Sequence, residues 1–240
     1  RWKHPSRGMI PPAQFIPIAE ETGLIVPIGE WVLRTACFET RQLLDRGDDI
    51  THVSVNISSR QFLQPNLVQQ IERILAESGM PAKKLVLEIV ESTLMDRSDE
   101  AVNTLRKLRE LGVSIAVDDF GTGYSSLSYI SRFPVDILKI DRSFVQKINT
   151  DAADAAVVDA ILAMAKALNL CVVAEGIESV EQLDYLRSSD CQSAQGYYFR
   201  RAAPIGNFSA QTHQLPPCTT TSKQQKALAA AQAAMQNGAT

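Results

Sequence analysis

Short, almost continuous apolar runs recur along the chain, and each is followed by a segment with a helical pattern. Runs of this kind are typical of parallel β-strands that are covered on both faces. The six runs are residues 52–57, 85–90, 114–120, 137–141, 171–177 and 194–199. Because strand and helix alternate repeatedly, the sequence predicts a parallel α/β fold.

The segments between the runs predict the helices. The periodicity indicates helices over residues 66–78, 99–111, 152–168 and 179–188, with a shorter one over 125–131. Two further helices, Pro12 to Thr22 and Ile28 to Arg46, are predicted before the first run. Gly79 and Gly112 stand where C-terminal helix caps are expected.

Two parallel α/β architectures compete, an open doubly wound sheet and a closed (β/α)8 barrel. A Gly-x-Gly-x-x-Gly turn is absent after the first apolar run, which disfavours a dinucleotide-binding open sheet. Six strands are two fewer than a barrel needs, and the chain begins directly with Arg1-Trp2-Lys3, without an initiator Met. We therefore predict a TIM-like barrel of which the first strand is largely missing from this chain.

Composition sets the domain limits and excludes some partners. Residues 1–206 are predicted to form one domain, incomplete at its N-terminus, and residues 207–240 a low-complexity, flexible tail. The net charge of −3 offers no basic field for a DNA or RNA duplex. No apolar run reaches the length of a membrane span. We expect a cytoplasmic location, although the parent protein can be membrane-tethered through upstream regions.

Polar residues interrupt the apolar runs near their C-terminal ends. In a parallel barrel these ends meet on one rim, where the active sites of this architecture are built. The residues, in run order, are Asn56; Glu88 and Glu91; Asp118 and Asp119; Lys139 and Asp141; Glu175 and Glu178; and Gln195.

So many carboxylates on one rim require neutralisation. Two unit charges about 5 Å apart repel by about 3 kcal/mol at an effective dielectric constant near 20. Several such pairs would exceed the stability of a typical domain unless cations or protons offset them. Lys139 is the single lysine among these residues, so divalent metal ions are expected. Carboxylate and amide oxygens suit Mg²⁺ or Mn²⁺ better than zinc or copper.

Three features of the rim have two interpretations each. Asp118 and Asp119 can both swing inward at a strand end to hold metal, or they can cap a turn with Gly121-Thr122-Gly123. That glycine-rich segment can also cradle a phosphate through its backbone N–H groups. Lys139 either pairs with Asp118 or Glu175, or it orients a metal-bound water.

Seven segments, in this order and at this spacing, resemble the EAL-domain family of bacterial cyclic di-GMP phosphodiesterases. The resemblance covers about residues 1–205. The segments are residues 15–25 (FIPIAEETGLI), 54–58 (SVNIS), 87–91 (LEIVE), 118–127 (DDFGTGYSSL), 138–141 (LKID), 173–178 (VAEGIE) and 195–197 (QGY).

The resemblance implies roles for the rim residues. Lys139 resembles the catalytic lysine that holds or helps to deprotonate the attacking water, together with Glu175. Gln195 resembles a residue near that water or the substrate, and Arg1 an arginine that contacts a substrate phosphate. The implied ligands of a two-metal site are Asn56, Glu88, Asp118, Asp119 and Glu175.

The remaining rim residues resemble supporting groups. Glu178 resembles the glutamate that anchors the loop after Asp119, and that loop contains Gly121, Thr122 and Gly123. Glu91 resembles a partner of the metal ligands. The implied fold is a (β/α)8 barrel whose first strand runs antiparallel to the others.

The implied activity is hydrolysis of cyclic di-GMP to linear pGpG by a two-metal mechanism with Mg²⁺ or Mn²⁺. Cyclic di-GMP is the expected small-molecule partner, and a homodimer and upstream sensory or GGDEF-type domains are expected of the parent protein. The Glu-Ala-Leu signature of the family would lie just before Arg1, and its glutamate is a metal ligand. We therefore expect the chain as written to be an impaired enzyme.

Two other functions remain open on the sequence. A catalytically impaired EAL-like domain can act as a cyclic di-GMP receptor or a protein-interaction module. A different metal-dependent barrel enzyme, acting on small carboxylates or phosphates, fits the strand-end pattern without the resemblance. Product analysis with cyclic di-GMP separates these alternatives.

Overall fold

The structure is a computed structural model, and it describes residues 1–95, 98–123, 130–203 and 205. Two compact units are distinguished: the first spans Arg1–Ile115, and the second begins at Ala116. Most of the predicted helix over residues 125–131 and the whole predicted tail over residues 207–240 lie outside the described residues. In the described part of the chain, no helix has both the length and the apolar character needed to cross a membrane.

The first unit contains a parallel strand pair, β3 and β4, preceded by a short antiparallel hairpin, β1 and β2. In the parallel pair Asn56 lies opposite Glu88. The strands are β1 (Trp2–His4), β2 (Gly8–Ile10), β3 (Val53–Ile57) and β4 (Leu85–Val90). The helices are α1 (Pro12–Thr22), α2 (Ile25–Asp45), α3 (Ser59–Phe62), α4 (Leu67–Ser78), α5 (Glu91–Met95) and α6 (Ser98–Glu110), with a 3₁₀ turn at Ala82–Lys84.

Apolar spacing explains the elements of the first unit. In α4 the buried residues Leu67, Ile71, Ile74 and Leu75 recur at helical intervals and form one apolar stripe. Gly79 ends this helix in the left-handed conformation, as predicted. The strand β4 is buried along almost its whole length, which agrees with its continuous apolar sequence.

The second unit contains the greater part of β5 and three further parallel strands, which pair in sequence order, β5 with β6, β6 with β7 and β7 with β8. Because parallel pairing brings equivalent strand ends together, the polar residues at these C-terminal ends lie side by side. The strands are β5 (Ser114–Phe120), β6 (Ile137–Ile140), β7 (Cys171–Ala174) and β8 (Ser193–Ala194). The helices are α7 (Arg142–Lys147), α8 (Ala152–Leu168) and α9 (Val180–Ser188).

Most of the predicted elements are confirmed, and the main errors concern strand ends. The predicted strand over residues 171–177 ends at Ala174, because the chain turns at Gly176 with a φ of 75°. The strand predicted over residues 194–199 is wrong beyond Ala194. There the Phe199 N–H donates to the carbonyl of Gly196 at 3.2 Å, which closes a turn. The hairpin of β1 and β2 was not predicted.

Candidate functional site

The end of β5 carries an irregularity that brings two carboxylates to the same place. Its register with β6 shifts between Val117 and Phe120, and Asp119 has a φ of 54°. This left-handed conformation is uncommon for a residue with a side chain, although aspartate adopts it more readily than most. Neighbours on a regular strand point to opposite faces, so the irregularity allows Asp118 and Asp119 to converge. One carboxylate oxygen of Asp118 lies within 4.8 Å of one of Asp119, so the two side chains lie together at the strand end.

Lys139 lies between two of the acidic residues. Its ammonium nitrogen is 2.9 Å from Oδ1 of Asp118 and 2.5 Å from Oε1 of Glu175. The parallel register of β6 and β7 produces this contact, because Lys139 pairs with Val173, two residues before Glu175. The predicted ion pair is thus present with both candidate partners.

Gln195, which directly follows β8, also contacts Glu175. Its Nε2 donates to Oε1 of Glu175 at 2.6 Å, the same oxygen that Lys139 contacts. The backbone N–H of Gln195 donates to the carbonyl of Ala174 at 2.8 Å, and this bond fixes the position of Gln195 beside Glu175. Two donors therefore fix Oε1 of Glu175 in one place.

Three carboxylates form an acidic cluster, which we define as Asp118, Asp119 and Glu175. One oxygen from each lies within 4.8 Å of the other two, close enough to share a cation. Oδ1 of Asp118 is buried and, within the described residues, accepts no hydrogen bond, since Lys139 meets it at ion-pair distance but not in hydrogen-bonding geometry. An all-oxygen cluster with a buried acceptor of this kind fits a hard divalent cation.

The electrostatics of Asp119 also favour a cation. Burial raises the pKa of its carboxyl above the usual range, and the negative charges of Asp118 and Asp141 raise it further. Lys139 opposes this effect. Asp141 itself caps α7, where its Oδ1 accepts a hydrogen bond from the Ser143 N–H at 2.9 Å. One ammonium group therefore faces several carboxylates, so the cluster keeps a negative charge that a divalent cation would balance.

The segment after Asp119 supports that residue. The hydroxyl of Thr122 donates to the carbonyl oxygen of Asp119 at 2.9 Å. Gly121 and Gly123 flank Thr122, and this segment ends the described part of the loop at residue 123. The turn interpretation and the ligand interpretation of this aspartate are therefore compatible, since Thr122 contacts the backbone and leaves the carboxylate to the cluster.

The first unit holds four of the predicted site residues. Asn56 is exposed on β3, whereas Glu88, opposite it on β4, is buried. Glu91 is buried at the start of α5, and Arg1 is exposed just before β1. Asn56 and Glu88 are therefore direct neighbours in the parallel pair, near the C-terminal ends of both strands, which agrees with their predicted placement.

A cavity of about 410 Å³ opens beside the acidic cluster within the second unit. The predicted residues Glu175, Glu178 and Gln195 line it. Glu178 is exposed, and its backbone N–H donates to Oε1 of Gln182 at 2.8 Å. The loop segment that Glu178 is predicted to anchor extends into residues 124–129, which lie outside the described residues, so that role stays a prediction.

Two cationic residues of this cavity were missed at the level of sequence. Arg142 and Arg200 line the cavity together with Tyr197. Arg142 directly follows the predicted strand-end residues Lys139 and Asp141, and this position was the signal that could have identified it. Arg200 lies five residues after Gln195, directly after the segment that was predicted as a strand.

The sequence is similar to known proteins over most of its length. A family model described as EAL domain matches residues 1–202. The bifunctional diguanylate cyclase/cyclic di-GMP phosphodiesterase MucR of Pseudomonas aeruginosa is 46% identical over 204 residues, which are 85% of this chain and 30% of MucR. The cyclic di-GMP phosphodiesterase NbdA of the same species is 44% identical over 205 residues, 85% of this chain and 26% of NbdA. The chain thus spans about a quarter to a third of these relatives.

Solved structures of EAL proteins are also similar to this chain. A structure of the MucR phosphodiesterase in a c-di-GMP complex superimposes with a TM-score of 0.82 at 46% identity, covering 84% of this chain and 81% of that one. The EAL enzyme Bd1971, bound to cAMP and cyclic di-GMP, superimposes with a TM-score of 0.82 at 36% identity, covering 86% and 57%. These similarities confirm the predicted fold class, a TIM-like α/β barrel.

Proposed function

The chain belongs to the EAL domain family, and on this premise we propose that it hydrolyses cyclic di-GMP to linear pGpG with Mg²⁺ or Mn²⁺. The observation that carries the proposal is the acidic cluster, with Lys139 and Gln195 both in contact with Glu175. Relatives that share 46% and 44% of the aligned residues are named cyclic di-GMP phosphodiesterases. The alternative of an unrelated metal-dependent barrel enzyme has no comparable support.

The residues of the acidic cluster are the proposed metal ligands in the second unit. When bound, Mg²⁺ or Mn²⁺ would lower the pKa of the attacking water and neutralise charge on the phosphate oxygens. Asp118, Asp119 and Glu175 supply hard oxygen ligands, which both ions accept. The ligand roles of Asn56 and Glu88, the supporting role of Glu91 and the phosphate contact of Arg1 stay predictions from the resemblance.

The proposed roles of Lys139 and Glu175 follow from their contacts. Lys139 contacts two carboxylates, and we assign its ammonium group to orienting the attacking water. Glu175, whose Oε1 is held by Lys139 and Gln195, would accept the proton of that water. Fixing the glutamate in advance contributes to catalysis, because a positioned base needs little reorganisation when the reaction occurs.

A product assay with one neutralising substitution tests the proposal. Purified protein is incubated with cyclic di-GMP and Mn²⁺, and pGpG is followed by chromatography. Glu175→Gln keeps the shape of the side chain but removes its charge, so pGpG formation is expected to fall by at least about 100-fold, as for loss of a general base. Glu181→Gln, an exposed change on α9, is the matched control and is expected to leave the rate unchanged.

The assay also distinguishes an enzyme that hydrolyses cyclic di-GMP from a receptor that only binds it. Formation of pGpG that depends on Glu175 supports the proposed enzyme. If the protein binds cyclic di-GMP in a titration but forms no pGpG under any metal condition, hydrolysis by this chain is contradicted. That outcome would favour the receptor function that the sequence left open.

A further inference from the structure

The chain that begins at Glu175 is held by hydrogen bonds at several successive residues. The Glu175 N–H donates to the carbonyl of Ile140, on the neighbouring strand β6, at 3.1 Å. Two residues later, the Ile177 N–H donates to the carbonyl of Gln195 at 3.1 Å. Backbone groups of β6 and of the chain after β8 therefore hold the first part of this segment, whereas a side chain contacts its second part, residues 178–179.

The side chain in question is that of Gln182. Its Oε1 accepts hydrogen bonds from the Glu178 N–H at 2.8 Å and from the Ser179 N–H at 3.1 Å. In return, the hydroxyl oxygen of Ser179 accepts a hydrogen bond from the Gln182 N–H at 3.3 Å, which completes a capping box at the start of α9. Gln182 is 9% exposed, so it is largely shielded from water. One buried amide oxygen therefore fixes two consecutive backbone groups.

The nitrogen of the same amide contacts α7. Nε2 of Gln182 donates to the carbonyl of Gln146 at 3.4 Å, near the C-terminal end of that helix. The start of α7 packs on the chain after Glu175, because a Cβ on Gly176 would lie 2.5 Å from the Cβ of Arg142. Gln182 thus joins three parts of the second unit, which are the chain after Glu175, α7 and α9.

Helix capping alone does not account for these contacts. In a capping box the residue at the third helical position bonds the backbone N–H of the N-cap residue, which here is Ser179. Gln182 also bonds the N–H of Glu178, before the N-cap, and the carbonyl of Gln146, 36 residues earlier in the chain. Both additional contacts involve the segment that carries Glu175 or the helix that packs on it.

We propose that Gln182 is a positioning residue for the acidic cluster and acts by fixing the chain between Glu175 and α9. The proposal rests on the proposed function, because that function requires Glu175 to bind metal and to accept a proton. Gln182 is not a member of the acidic cluster and acts through the backbone of residues 175–179. Loss of a group that orients a metal ligand typically costs about 10- to 100-fold in metal affinity or activity. We expect an effect of this size when the amide of Gln182 is removed.

Two substitutions separate the hydrogen bonds of Gln182 from its size. Gln182→Met keeps the length of the side chain but removes the amide, so the N–H groups of Glu178 and Ser179 lose this acceptor. Gln182→Glu keeps an acceptor oxygen and removes the donor to α7, and glutamate is itself a usual capping-box residue. Leu186→Ala is the matched control, because Leu186 lies on the same helix and is 1% exposed. Its truncation lowers stability through lost packing and leaves the amide of Gln182 intact.

Amide hydrogen exchange in EDTA measures the positioning without metal and without turnover. Mass spectrometry follows peptides that cover residues 175–180 in all four proteins, relative to peptides from α8. Exchange in the 175–180 peptides is expected to be faster in Gln182→Met, because a segment with fewer hydrogen bonds opens locally more often. Gln182→Glu and Leu186→Ala are expected to exchange there as the unsubstituted protein does. Unchanged exchange in Gln182→Met would overturn the proposal.

Steady-state kinetics with cyclic di-GMP and Mn²⁺ then test whether this positioning matters for the reaction. At a temperature where circular dichroism shows all four proteins folded, Gln182→Met is expected to lower kcat by about 10- to 100-fold with little change in KM. Gln182→Glu is expected to restore most of kcat, and Leu186→Ala is expected to keep kcat although its urea midpoint falls. If Gln182→Glu is as slow as Gln182→Met, or if Leu186→Ala loses kcat to the same extent, the role of Gln182 is structural and the proposal is wrong.

Two further measurements keep the test decisive. If the unsubstituted protein forms no pGpG, the proposed hydrolysis fails, and Mn²⁺ calorimetry together with exchange decides the role of Gln182. Mn²⁺ affinity at least about tenfold weaker in Gln182→Met, but unchanged in Leu186→Ala, supports positioning, and equal affinities contradict it. If Gln182→Met does not fold, Gln182→Asn replaces it with the same expectations, because its amide is one methylene shorter.

Discussion

Replacement of Lys139 by methionine is the perturbation that most directly tests how the acidic cluster is stabilised. Methionine has nearly the same length and shape as lysine but carries no charge. The Lys139 side chain is only 4% exposed, and those of Asp118 and Glu175 are 12% and 17% exposed. The substitution therefore leaves two largely buried carboxylates without their ammonium partner.

The expected loss is several kcal/mol. At an effective dielectric constant near 20, a charge pair at 2.9 Å attracts by about 6 kcal/mol and one at 2.5 Å by about 7 kcal/mol, before the cost of burying the charges. Burial offsets much of this attraction, so removing one partner of a buried pair lowers the free energy of unfolding by about 3–5 kcal/mol. We expect this loss for Lys139→Met in EDTA.

Urea unfolding in EDTA and in Mn²⁺ is the appropriate assay. Both tryptophans, Trp2 and Trp31, lie in the first unit, so far-ultraviolet circular dichroism is preferred to tryptophan fluorescence for a change in the second unit. Lys166→Met is the matched control, because Lys166 and its partner Asp190 are 76% and 81% exposed. An exposed pair contributes about 0–1 kcal/mol, so this control is expected to unfold almost as the unsubstituted protein does.

Two outcomes would contradict this reasoning. Lys139→Met protein that is as stable in EDTA as the unsubstituted protein would show that Lys139 does not offset the cluster charge. The double substitution Lys139→Met with Glu175→Gln is expected to recover part of the loss, because it removes one of the uncompensated charges. Absence of any recovery would assign the loss to packing. Mn²⁺ is expected to reduce the difference in the free energy of unfolding between the variant and the unsubstituted protein. The cation stabilises the folded state that binds it, and it supplies positive charge that the variant lacks.

Three further substitutions test neighbouring features. Gln195→Ala is expected to lower kcat by about 10- to 100-fold with little change in KM, because it removes the donor that holds Glu175, as steady-state kinetics would show. Gly196→Ala is expected to destabilise the second unit, because its Cβ would lie 2.1 Å from the Ile177 carbonyl oxygen; an unchanged urea midpoint would contradict this. Asparagine also tolerates the φ of 54° at position 119, and Asp119→Asn removes the charge repulsion from the neighbouring carboxylates. We therefore expect equal or higher stability in EDTA but weaker Mn²⁺ binding by calorimetry.

The helices were largely predictable because local apolar spacing determines them. The bounds of α1 and α8 agree with the predicted Pro12–Thr22 and 152–168 at both ends. The strands β4 and β5 also agree, since each is a mainly apolar run with acidic residues near its C-terminal end. These elements needed no information about distant parts of the chain.

The errors arose where a tertiary contact overrides the local pattern. Residues 194–199 contain apolar and aromatic residues that resemble a strand, but Gly196 packs on the backbone of Ile177 and the chain turns there. Arg142 was missed because its place beside Glu175 depends on the close approach of α7 to Gly176. Both contacts join segments that lie far apart in the sequence.

The position of Lys139 shows why two interpretations that compete on the sequence are compatible in the structure. As an ion-pair partner, it offsets carboxylates that would otherwise repel one another in the absence of a cation. The same contacts hold Oε1 of Glu175 in one place, which is the positioning that a proton acceptor requires. A metal ion that neutralises the cluster would weaken the electrostatic hold of Asp118 and Glu175 on this ammonium group. The charge of Lys139 would then be more available to orient water. With the cation bound, Lys139 would therefore act less as an ion-pair partner and more in its proposed catalytic role.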